Sequence, residues 1–288
     1  MSEINQSDHI IETGDGFPLQ ATIFKQSEPS DKVIVIASGL GVPRYAYYKF
    51  AIYWATNGYV AITFDYRGIY ESTDPHFSPA QMCLEEWGRR DVEAVLQHAI
   101  YTYPSAKIYY AGHSAGGQLI GLAPSSLHIS GAILISTTLG HWRYWPHPWK
   151  WGAFVFWKLV ALLSHNSDHF PARMIGFSSI DIPGGVARQW GEWGQSQNYL
   201  FDHITPQQLN RYKNLCMPLL SLSFSDDQKM GPKRAVDAML PYYASVNLTR
   251  WHLHPQDYGV SAIKHFGFFK DTFKKSLWPE VRQWIEQQ

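Results

Sequence analysis

Two cysteines in 288 residues, Cys83 and Cys216, are too few and too far apart for a disulfide framework and fit a reducing compartment. Charge of either sign is not in excess: 24 Lys and Arg are balanced by 24 Asp and Glu. That argues against a nucleic-acid partner, which needs a basic face, and offers no polybasic membrane patch. No apolar run reaches the ~20 residues of a membrane span. The nearest, Trp151 to Leu163, is interrupted by Lys158. The start, Met1 to Asp8, is polar and acidic and lacks the charged-then-apolar layout of a signal peptide. Internal repeats and low-complexity tracts are missing too. The expectation is a soluble, cytoplasmic protein with no stable membrane insertion, its oligomeric state left open.

Apolar residues are plentiful, at 45% of the chain, enough for the core of one large α/β domain or two small ones. Tryptophan is the oddity. There are 12, and seven lie between His141 and Leu200. Elsewhere, short β-branched runs alternate with helical stretches. Val33 to Ser38, Val60 to Asp65, Lys107 to His113, Ile129 to Ser136, Pro218 to Phe224 and Asn247 to Leu253 read as strands, most of them covered on both faces. Helices are expected at Tyr45–Asn57, within 78–101, near Pro206–Lys213, at Pro232–Tyr243 and at about Phe269–Glu286. His9 to Lys25 reads as a hairpin around Gly14-Asp15-Gly16. This alternation predicts one mostly parallel sheet wrapped by helices on both faces, with the loops at the carboxyl ends of the strands brought together.

The most informative stretch is Gly112-His113-Ser114-Ala115-Gly116, at the end of a buried strand. A Gly-x-Ser-x-Gly elbow forces its serine into a strained conformation and lifts the hydroxyl clear of the sheet. Gly112 and Gly116 keep the close approach of helix to strand free of side chains. Ser114 is the candidate nucleophile. A serine hydroxyl needs a base, and the base an orienting carboxylate, expected in the chain order Ser, acid, His. Asp226 and Asp227 both follow the strand Pro218–Phe224. Asp227 is preferred from its distance to the strand end, with Asp226 the alternative. The base is expected in the loop beyond the last strand, at His265, ahead of His252 and His254 on the strand itself. The oxyanion of a tetrahedral intermediate needs backbone N–H donors, expected from Ala115 and, in the Gly39-Leu40-Gly41 loop, from Leu40.

These motifs, with Asp65-Tyr66-Arg67-Gly68 and Ser72, Ser225-Asp226-Asp227 and His265-Phe266-Gly267, resemble the α/β-hydrolase fold superfamily, of the serine aminopeptidase-like/lysophospholipase type. The resemblance covers nearly the whole chain. It is closest to a poorly characterised branch with a Trp-rich lid, matching His141 to Pro146 and Pro183 to Trp190. It implies an α/β-hydrolase core at 1–140 and 201–288, an inserted helical lid at 141–200, and hydrolysis of an acyl bond. Two positions depart from the family pattern: Ser38 stands where many relatives have His, and Tyr70 where many have Gly.

The insert has five basic and three acidic residues. An aminopeptidase would want carboxylates for a substrate ammonium. An apolar, slightly basic insert suits an acyl chain or aromatic ester, with Trp142, Trp145 and Trp190 as candidate contacts. His165, Asp168 and His169 have ligand-like spacing, but a solvated loop is the expectation, and a serine mechanism needs neither metal nor cofactor. The expected function is a serine hydrolase acting on a carboxylic ester, thioester or related acyl bond of a small, hydrophobic molecule. An acyltransferase with the same triad, or a non-catalytic binding protein on the same fold, are the rival readings.

Overall fold

The β-branched runs form the centre of an eight-stranded sheet in a computed structural model, which describes residues 3–288. The chain enters with the hairpin β1 (Asn5–Glu12) and β2 (Pro18–Lys25), then β3 (Lys32–Ala37). After α1 (Tyr48–Thr56) come β4 (Val60–Phe64), a helical stretch from α2 (Leu84–Glu86) to α3 (Glu93–Thr102), and β5 (Lys107–His113). A four-residue α4 (Ala115–Gln118) leads to β6 (Gly131–Ile135). The Trp-rich insert holds α5 (Trp149–Leu163), the small ribbon β7 (His169–Phe170) with β8 (Ile182–Pro183), and α6 (Gly184–Gln195). The chain ends with α7 (Pro206–Asn214), β9 (Pro218–Phe224), α8 (Lys233–Met239), β10 (Asn247–Leu253) and α9 (Leu277–Glu286).

The strand order is β1-β2-β4-β3-β5-β6-β9-β10, antiparallel for the first two pairings and parallel for the rest. Residues of β4 and β6 are buried throughout, as strands covered on both faces must be. Two apolar layers flank the sheet. One holds Trp87, Leu119 and Tyr212, the other Trp54, Phe268 and Trp278.

The Asp65 to Ser72 stretch is a brace. Arg44 pairs with Asp65, and Arg67 with Asp91 and Asp15, so each buried cation has a carboxylate partner. The Ser72 hydroxyl donates to the Asp65 carbonyl (2.7 Å) and accepts the Gln20 N–H (2.8 Å). Tyr70 has φ +49°, a left-handed backbone that explains why glycine suits this position elsewhere.

Two expected helices differ in extent and a third in geometry. The helix after the elbow stops after one turn and breaks into 3₁₀ turns at Ile120–Leu122 and Pro124–His128. Gly116, Gly117 and Gly121 give it little helical propensity and Pro124 ends it. The last helix starts at Leu277 instead of Phe269, because Gly267–Phe269 and Asp271–Phe273 are separate 3₁₀ turns. The helix within 78–101 starts at Leu84 and widens to π geometry over Trp87–Val92.

Candidate active site

Four loops at the carboxyl ends of parallel strands build the site: those after β3, β5, β9 and β10. At the first turn of α4, Ser114 adopts φ +50° and ψ −115°, a conformation tolerated only where the surroundings impose it. Its N–H is tied to the Ile135 carbonyl (2.8 Å). The surroundings are close-packed: a Cβ on Gly112 would lie 2.6 Å from the Gly117 Cα, and one on Gly116 would collide with the Ala37 carbonyl. The glycines are thus a steric condition for the elbow.

Asp227 is buried in the turn after β9, and its Oδ2 lies 2.6 Å from Nδ1 of His265. His265 is itself buried and follows Lys264, whose φ of +55° turns the chain inward. Asp226 does different work. Its carboxylate accepts the N–H groups of Ile263 (2.8 Å) and Lys264 (3.0 Å), pinning the loop that carries His265. The choice left open by sequence is therefore separated by geometry: Asp227 meets the imidazole and Asp226 holds the backbone beneath it. His252 bonds instead to the Ser223 hydroxyl (2.7 Å), and His254 lies just past the end of β10.

Ser114 and His265 line one cavity of about 270 Å³, together with Leu40 and Ala115. No direct hydrogen bond joins Ser114 to His265, a contact that commonly tightens only around substrate. Neither the Leu40 nor the Ala115 N–H has an acceptor among the described residues, so both donors are free.

A buried relay, invisible as a pattern in sequence, links three of these loops. His113 Nε2 lies 3.0 Å from the His265 carbonyl, and Nδ1 lies 2.7 Å from the Tyr47 hydroxyl. Burial, then the nearby His265, pushes the His113 pKa well below its ordinary value, so the ring is neutral. The carbonyl can only accept, so Nε2 carries the proton and Nδ1 accepts from Tyr47. The Tyr47 oxygen is then free to accept the Gly39 N–H (2.8 Å). The Gly39-Leu40 loop, the elbow and the His265 loop are thus joined by one set of directed bonds.

Much of the remaining lining is aromatic, with Gln118, Thr138 and Lys229 as polar members. Trp145, Trp149, Phe156, Trp157, Phe177 and Trp190 line it, and no Asp or Glu does. Of the three tryptophans singled out from sequence, Trp145 and Trp190 face the cavity. Trp142 does not: its ring stacks on Trp151 at 5.5 Å, because the 3₁₀ turn Trp142–Tyr144 directs it along α5. Trp145 also donates its indole N–H to the Lys229 carbonyl (2.7 Å), linking the insert to the Asp227 loop. Trp157, Phe156 and Phe177 could have been suspected only from the helical spacing of α5 or not at all. His165, Asp168 and His169 do not converge. Among the described residues, no three His, Cys, Asp or Glu side chains are grouped so as to hold a metal ion, and no helix is long and apolar enough to cross a membrane.

Residues 28–174, just over half of the chain, match the family model described as serine aminopeptidase, S33. No curated protein sequence matches. Among solved structures the chain is similar to an esterase of Pyrococcus furiosus, at 16% identity and TM-score 0.63 over 99% of this chain and 91% of that one. It is similar also to a thermostable carboxyl esterase from Bacillus coagulans, at 13% identity and TM-score 0.64 over 98% of each chain. A third is Est1E from Butyrivibrio proteoclasticus with ferulic acid bound, at 16% identity and TM-score 0.62 over 97% of this chain and 98% of that one. At such identities the likeness is one of fold: a mostly parallel sheet flanked by helices.

Proposed function

Because the chain belongs to the serine aminopeptidase (S33) family of α/β hydrolases, we propose that it is a serine hydrolase cleaving a carboxylic ester or thioester through an acyl-enzyme. The observation that carries this reading is the 2.6 Å pairing of Asp227 with His265, which lines the same cavity as the strained Ser114. Ser114 Oγ attacks the acyl carbon while His265 Nε2 takes its proton. Negative charge gathers on the former carbonyl oxygen, which the Leu40 and Ala115 N–H groups hold. The C–O or C–S bond breaks as His265 returns the proton to the leaving alcohol or thiol. Water, deprotonated by His265, then attacks the acyl-enzyme. The acid leaves, and Ser114 recovers its proton. Asp227 fixes the imidazole so that Nδ1 donates to it and Nε2 faces Ser114. Tyr47 and His113 act as positioning residues for the Gly39-Leu40 loop and His265.

The same reading gives 141–200 the role of a lid and assigns the acyl group to the cavity walled by Trp190, Trp157 and Phe156. A cavity without carboxylates does not suit the ammonium of an aminopeptidase substrate, and its aromatic wall suits an apolar acyl or aryl group. A series of p-nitrophenyl esters of increasing acyl length tests this. The expected result is kcat/KM rising with chain length until the cavity is filled and then falling, with turnover lost in Ser114→Ala. Undiminished turnover by folded Ser114→Ala would overturn the mechanism, and a flat length profile the acyl assignment.

A further inference from the structure

Helix α5 has two apolar faces, and only one is covered by protein. Trp157 and Val160 are buried toward α6, where Gly191 and Gly194 let the Trp157 backbone and ring approach closely. At about 100° per residue, the opposite side carries Trp151, Val155, Leu159 and Leu162. They are 54, 52, 47 and 70% exposed. A helix apolar all round is ordinarily enclosed, and an exposed apolar stripe of this kind marks a surface that something covers.

The charge around the stripe identifies the occupant. From His141 to Ser167 the chain has Arg143, Lys150 and Lys158 and not one Asp or Glu. The near-neutral total conceals this local excess. Each of these cations lies over an aromatic ring: Arg143 over Trp142 (5.2 Å), Lys150 over Trp151 (5.1 Å) and Lys158 over Phe154 (4.6 Å). Lys229, on the Asp227 loop, lies over Trp149 (4.9 Å) where both residues also line the cavity. None of the four is in an ion pair among the described residues, whereas Lys49, Lys233, Arg188 and Arg282 elsewhere are.

We propose that the outer face of α5 docks on the surface of an anionic lipid bilayer. Apolar and tryptophan side chains flanked by unneutralised cations are what an interfacial helix presents to headgroups and the acyl boundary. With 15 residues, α5 is too short to span and lies in the interface plane. A second copy of this chain fits the face poorly, since Lys150 and Lys158 would meet their own counterparts with no acid between them. The inner side of α5 contributes Gly152, Ala153 and Phe156 to the cavity, so the docked face and the cavity share one helix. The docking does not depend on the ester-cleaving reading.

Flotation with unilamellar vesicles tests it, using phosphatidylcholine alone and phosphatidylcholine with one quarter phosphatidylglycerol. The intact protein floats with the mixed vesicles and about tenfold less with phosphatidylcholine alone. Leu159→Glu/Leu162→Glu lowers flotation on the mixed vesicles about tenfold or more, as does Lys150→Gln/Lys158→Gln, while thermal melting stays within a few degrees of the parent. These residues are outside the cavity lining, so the folded body is kept. Absence of flotation by the parent, equal flotation of both lipid mixtures, or flotation unchanged in either double variant would overturn the proposal. So would self-association in sedimentation velocity, abolished by Leu159→Glu/Leu162→Glu, in place of vesicle binding.

Discussion

Replacing Tyr47 by Phe removes one oxygen and leaves the ring, which packs edge-on against Phe269 at 4.6 Å. That oxygen donates to His113 Nδ1 and accepts the Gly39 N–H, and both partners are buried against one another. The variant therefore orphans an acceptor and a donor in one step. Each unsatisfied buried polar group costs about 1–3 kcal/mol, so a loss near 3 kcal/mol is expected once the loop has relaxed. For a chain of this size that lowers Tm by about 6–12 °C. The kinetic effect is separate. Losing an oxyanion donor outright costs about 10²–10³ in kcat. Tyr47 acts on that donor through Gly39, so a loss of about tenfold, near 1.4 kcal/mol, is expected in kcat, with KM within about twofold. Differential scanning fluorimetry and steady-state hydrolysis of a p-nitrophenyl ester read the two quantities on one preparation. A lowered Tm with unchanged kcat would make Tyr47 merely structural, and no change in either would refute the relay.

Asp227→Asn should lower kcat by about 10⁴, as expected for the group that fixes the imidazole tautomer. Asp226→Asn, which weakens only the hold on Ile263 and Lys264, should lose far less, and comparable losses in the two variants would contradict the division of labour. Gly116→Ala sets a methyl group against the Ala37 carbonyl, so it should fail to accumulate as soluble protein or should unfold at least about 10 °C earlier; wild-type melting would show that the elbow is less crowded than it looks. His113 is buried neutral with its pKa held well below 6.5, its ordinary value. The unfolded chain takes up that proton first, so this contribution to stability is complete above about pH 6.5 and is lost progressively as pH falls below it. Urea denaturation at stepped pH should show the decline, and it should be shallower in His113→Asn.

Much of the fold was legible because its signals are local. Val33–Ile36 is β-branched throughout and Val60–Phe64 is mostly so, and a strand buried on both faces leaves little other choice. The elbow was legible because its glycines are demanded by contacts that no other residue fits. What could not be read depends on loops meeting. Asp226 and Asp227 are chemically identical in sequence and differ only in which backbone amides or imidazole they face. Tyr47 reads as one more aromatic on a helix packed with them, and its place here is set by a hydroxyl that three loops share. Trp142 reads like Trp145, but the 3₁₀ turn between them points one along α5 and the other into the cavity. The one-turn α4 shows the elbow's steric demand for glycine overriding the helical pattern that would ordinarily follow.

Intact-protein mass spectrometry after exposure to a fluorophosphonate puts the central claim to its most direct trial. A single adduct is expected at one equivalent per chain, mapped to Ser114, lost in Ser114→Ala and slowed in Asp227→Asn. A folded protein whose Ser114 stays unmodified, or an adduct that persists in Ser114→Ala, would contradict it.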